Sequence, residues 1–169
     1  MLLREAYLRQ AASDLKVYEA LRSPQHPQCH ALHYLQMATE KLGKAVLLSA
    51  GAPMDAIQRT HVAFSRLPTT VRKRRDVSIA LGYPRYEAYC AFLDSIAGLA
   101  RQIDELHPQA GPSANCEYPW FGRGPGGEET WQVPATWGFA LYSELSQPHG
   151  AALIRFLRQL IDRFDAVFP

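Results

Sequence analysis

Residues 30–51 read HALHYLQMATEKLGKAVLLSAG, and this stretch restricts the fold more than any other part of the chain. Leu32, Leu35, Ala38, Leu42, Ala45, Val46 and Ser49 recur at intervals of three and four, which lines them along one face of a helix. Gln36, Glu40, Lys41 and Lys44 fall on the flank and the far side, a charged flank expected to face outward. Gly51 follows the last periodic residue, where glycine tolerates the left-handed conformation that ends a helix. About 20 residues rising roughly 1.5 Å each make a rod of about 30 Å, enough to span a small domain. A rod with one apolar stripe has to pack against other helices.

Three more long helices are expected. The first covers about 2–22, with Leu8, Ala11, Ala12, Leu15 and Tyr18 as its stripe, and ends at Pro24 and Pro27. Another covers about 86–106. Its Tyr89, Phe92, Leu93, Ile96, Leu99, Ala100, Ile103 and Leu106 form a face broad enough for more than one neighbour. The last, about 149–168, aligns Leu153, Phe156, Leu157, Leu160, Ile161, Phe164 and Val167. In the middle, 52–59 reads as a loop and Thr60 as the N-cap of a short helix over 61–67. Pro68 reads as an interruption, after which Thr69 or Thr70 restarts a helix through Arg72, Lys73, Arg74 and Arg75. One more turn over 76–81 is closed by Gly82 and Pro84.

An insertion at about 108–135 breaks the helical pattern with five prolines, several glycines and the aromatic residues Tyr118, Trp120, Phe121 and Trp131. CEYPW and TWQV alternate on either side of GRGPGGEE, which predicts a short β-hairpin. The expected fold is all-α: an antiparallel up-and-down bundle of four to five helices, with this insertion before the last one. All 169 residues fit a single domain.

Composition excludes several classes. Apolar residues make up 47% and charged residues 20%, the balance of a globular chain. A net charge of +2 demands neither nucleic acid nor an anionic membrane. No apolar run approaches the roughly 18 residues that cross a bilayer. The start, MLLREAYLRQ, mixes acid and base without a small-residue cleavage site, unlike a signal peptide. Cys29, Cys90 and Cys116 are odd in number and match no zinc spacing, which implies reduced thiols in a cytoplasmic protein.

Three segments resemble the HEPN superfamily of small prokaryotic helical domains. Gln36, Ala38, Glu40, Lys41, Lys44 and Ala45 follow the second-helix pattern Q-x-A-x-E-K-x-x-K-A. Ala11, Ala12, Ser13, Asp14 and Leu15 resemble the first-helix A-x-x-D-L, and Arg59, Thr60 and His61 the R-T-H that opens the third. Tyr34 stands where many members have His, and Val62 where they usually have Asp. The resemblance implies an antiparallel helical bundle, often a homodimer. Members include RNA-cleaving toxins of toxin–antitoxin and defence systems, and partners of minimal nucleotidyltransferases. It also implies a metal-independent nuclease pair, Arg, then four to six residues, then His, a spacing that Arg101, QIDEL and His107 satisfy. There His would serve as general acid or base, and Arg would stabilise phosphate charge.

Each candidate has a plainer alternative. A helix sets Arg101 and His107 about 600° apart, off a common face, so His107 equally fits a helix end where its charge suits the dipole. Glu40, Lys41 and Lys44, with Arg59 and His61, read either as an anion- or ligand-facing surface or as a solvated face with an i,i+4 pair. Arg72, Lys73, Arg74 and Arg75 could grip RNA phosphates, yet no aromatic residues interleave for base stacking. His26, Cys29, His30 and His33, with His61 from the next helix, could hold a metal, but their spacing fits no known signature, and no metal or other cofactor is expected. The aromatic insertion reads as packing over the open end of the bundle, as a ligand cover or as a dimer contact. The function expected first is a binding or assembly module, dimeric and associated with RNA or a nucleotidyltransferase. A ribonuclease using Arg101 and His107 is the second reading, and a small-ligand domain roofed by the insertion is the third.

Overall fold

The stripe of the 30–51 stretch is buried almost to the last residue. Leu32, Leu35, Ala38, Leu42, Ala45 and Val46 are all in the core, and Ser49 is half-exposed at the end. In the computed structural model, which describes residues 1–108 and 114–168, they belong to α2 (Gln28–Ser49). The helix stops as its sequence dictates. Ala50 is the C-cap, Gly51 takes φ +84°, and the amides of Gly51 and Ala52 donate back to the carbonyls of Leu48 and Leu47.

The other elements are α1 (Leu3–Leu21), α3 (Met54–Arg59), α4 (Ala63–Arg72), α5 (Arg75–Ala80), α6 (Tyr86–Asp104), β1 (Trp120–Arg123), β2 (Glu129–Gln132), α7 (Ala140–Glu144), α8 (Pro148–Asp162) and α9 (Phe164–Val167). The fold is thus all-α with one short antiparallel hairpin ahead of the final helices. The packing closes on itself: α1 lies along α2, α2 on α4, α4 on α6, α6 on α8, and α8 returns to α1. A single large core fills the ring, with Tyr18, Tyr89, Phe64, Phe156 and Phe164 as its bulkiest members. Among the described residues, no helix is long and apolar enough to cross a membrane.

The middle of the chain differs from expectation. The loop expected over 52–59 contains α3, whose Ile57 is buried against Leu47 and Ala63. Pro68 does not interrupt: α4 runs through it, forgoing only the bond its nitrogen would have made to the Phe64 carbonyl. Thr60 does not cap a helix starting at His61. Its hydroxyl accepts from the Val62 amide at 3.3 Å, and α4 begins at Ala63. The last helix is broken at Arg163 into α8 and α9, and α7 precedes it.

The hairpin forms where alternation placed it, pairing Trp120 with Gln132 and Arg123 with Glu129. Residues 109–113 of the insertion lie outside the described residues. Of the aromatic residues in the insertion, Trp120 is half-buried and meets Trp137 edge to face, and Trp137 packs against the core of the bundle. Packing over the bundle does not hold for Tyr118, Phe121 and Trp131, which are exposed. Just after the insertion the chain is tied to the start of α2, where the Gln28 side-chain oxygen accepts from the Phe139 amide at 3.0 Å.

Candidate functional site

The polar flank of α2 does not face outward. Gln36 and Lys44 are buried, and the Glu40 side chain is only 12% exposed. Together they form a polar seam inside the bundle. The Lys44 ammonium donates to Glu40 Oε1 at 2.7 Å, and Gln36 Nε2 donates to Glu40 Oε2 at 3.0 Å. Lys44 also sits over the Tyr7 ring. Lys41, on the adjacent row, pairs with the buried Asp14 of α1 at 3.0 Å, and Gln10 donates to the other oxygen of Asp14. Burial works against the charged Glu40 carboxylate. The Lys44 ammonium and the Gln36 amide outweigh it and hold the pKa below the ordinary carboxylate value.

Two histidines close the seam. His61, in the turn between α3 and α4, brings Nδ1 to 3.6 Å from Glu40 Oε2. His107, just beyond the end of α6, stacks on His61 with ring centroids 4.0 Å apart. Burial and the neighbouring His61 lower the His107 pKa, while Glu40 and Glu117 pull the other way. The neutral form of His107 is therefore favoured more than in a free imidazole.

Asp104 explains why the α4 end meets this place. The first turn of α4 has no side-chain cap of its own. Asp104, in the last turn of α6, supplies one from across the bundle: its Oδ2 accepts from the Ser65 amide at 2.8 Å. Burial, opposed by hydrogen bonds from Ser65 and Phe64, pushes its pKa up to about 6, and the Glu40 charge adds to the rise.

Glu40, Lys44 and His61 of the expected ligand surface are thus brought together. Lys41 is engaged with Asp14, and Arg59 lies exposed at the end of α3. The expected nuclease pair is divided: His107 joins the seam, whereas Arg101 is exposed on α6. Among the described residues the Arg101 guanidinium has no hydrogen bond or ion pair. The basic run forms the α4–α5 corner. Arg72 pairs with Asp94, Arg74 with Asp76 and the Val167 carbonyl, and Arg75 lies over the Tyr86 ring, leaving Lys73 exposed.

His26 and His30 are exposed and Cys29 is buried, so the segment considered for metal does not converge. His33 turns instead toward Glu117, with Nδ1 3.6 Å from Oε1. Both line a cleft of about 460 Å³ between the start of α2 and the insertion, together with Tyr34, Cys116 and Pro134. Asn115 shapes this wall by accepting from the amides of Glu117 and Tyr118. Sequence reasoning missed Asp104 and Glu117. Asp104 carried a signal, a carboxylate one turn after Ala100 on the apolar stripe; Glu117 carried none.

No protein-family model matches the chain, and neither a curated protein nor a solved structure matches it.

Proposed function

We propose that this chain is a HEPN-like binding and assembly module that works as a homodimer and takes its ligand at the Glu40–His61–His107 end of the polar seam. One observation carries the reading: residues from separate segments converge on one largely buried polar network. Apolar side chains of similar volume generally serve a core as well as or better than a buried ion pair. Gln36, Glu40, Lys44 and His61 are also residues that carry the HEPN resemblance, and their proximity supports a shared role. The exposed Phe121–Trp131 ring pair on the hairpin is apolar surface that a dimer would cover. RNA and a nucleotidyltransferase are the partner classes this reading takes from the resemblance.

A second reading, a ribonuclease, is favoured by His107, an imidazole with a lowered pKa, backed by His61 and Glu40. The exposed position of Arg101 weighs against the pair first expected. Purified metal-free protein incubated with labelled structured RNA, alongside light scattering, separates the two. A dimer that leaves the RNA intact agrees with the module. Cleavage abolished by His107→Ala, with the helical fold retained, overturns it in favour of the nuclease.

A further inference from the structure

Glu40 of α2, His61 ahead of α4 and His107 beyond α6 each present one donor atom, and these atoms lie within 4.8 Å of one another. We propose that Glu40, His61 and His107 bind a divalent transition-metal cation, of the zinc or cobalt type, with further coordination positions open to water or substrate. The inference rests on reading the seam as a ligand site and names the ligand.

The donor set is the first argument. Two imidazoles and a carboxylate suit zinc and its neighbours, and three protein ligands leave room for a fourth, exchangeable one. The second is an orphaned atom. His61 Nδ1 is buried and has no hydrogen-bond partner, because Glu40 Oε2 at 3.6 Å is too far to share a proton well. A cation between them satisfies both. The third is the division of labour at Glu40. Lys44 holds Oε1 and Gln36 orients the group through Oε2, which leaves Oε2 as the monodentate ligand atom.

The geometry also states what loading requires. Ligands of a tetrahedral ion at about 2.0–2.1 Å stand about 3.3 Å apart, closer than the present spread allows for every pair. A bound ion lies in the plane of each imidazole, so the stacked rings have to splay. Neither histidine is within a helix, and each can rotate without breaking one.

The test titrates the full chain, stripped with chelator, with cobalt(II), followed by visible absorption and calorimetry. One cobalt per chain, displaced by zinc(II), is expected. His107→Ala should weaken binding at least about tenfold. His61→Asn should do the same, and His30→Ala, exposed on α2, should leave it unchanged. Circular dichroism of each variant confirms the fold. Absence of one-to-one binding, or His107→Ala and His61→Asn both binding as tightly as the parent, overturns the site; so does equal loss with His30→Ala. The dimer and RNA measurements use metal-free protein, so failure here is distinguishable from failure of the module.

Discussion

The imidazole of His61 lies over that of His107 with their planes only 19° from parallel. The two reach this position from the α3–α4 turn and from the end of α6. Each covers one face of the other, and any charge on one is felt by the other. The contact joins the polar flank of α2 to the end of α6, and the proposed site is built around it.

Lys44 and Glu40 should behave as one unit. Lys44→Met leaves a mostly buried carboxylate without its nearest cation and is expected to cost about 3 kcal/mol. Adding Glu40→Gln removes the stranded charge and should recover at least half of that loss. Urea denaturation of the two single variants and the double variant measures the coupling. Simple additivity of the two single effects would rule out a shared network.

Gly43 of α2 lies tight against the backbone at the start of α4. A Cβ there would stand 2.6 Å from the Ala63 carbonyl carbon and 2.9 Å from the Phe64 nitrogen. Backbone atoms cannot step aside cheaply, so Gly43→Ala should destabilise by about 1–3 kcal/mol. Gly98, within α6, has open space around its Cβ position. Gly98→Ala should stabilise by about 0.5–1 kcal/mol through helix propensity. Thermal melts of the two variants should therefore move in opposite directions.

Asp104 makes stability depend on pH in the direction opposite to most carboxylates. Its folded pKa of about 6 lies above the unfolded value, because burial disfavours the charge. The folded state thus holds the proton more tightly. The resulting stability is fully present below the unfolded pKa of about 3.9 and is lost as pH rises through about 6. Asp104→Asn keeps an oxygen for the Ser65 amide and carries no charge. It should raise stability by about 1–3 kcal/mol at neutral pH and by little at about pH 4. Urea midpoints at the two pH values check this; an equal effect at both would contradict it.

The bundle was legible because burial follows the three-and-four spacing, and every apolar position of the α2 stripe from Leu32 to Val46 is buried. The hairpin was legible from alternation. Pro68 misled because a rule about lost hydrogen bonds does not weigh the apolar contacts that keep α4 whole; Pro68 itself is buried. The site was half legible. Glu40, Lys44 and His61 could be named together as one surface, whereas His107 was placed apart from them, with Arg101. Their meeting depends on how α2, α4 and α6 cross, which no local pattern records. The outward-facing reading of Lys44 failed for a related reason: a polar side chain on a helix flank is buried when a third element brings it a partner.

Imidazole-detected NMR across a pH titration tests the central claim, that His107 sits with His61 and Glu40 in one coupled cluster. His107 should titrate below the free-imidazole value of about 6.5, since burial and His61 both oppose its charge. In His61→Asn that midpoint should rise, and in Glu40→Gln it should fall further. A His107 midpoint at the free value, unmoved by either substitution, would contradict the account.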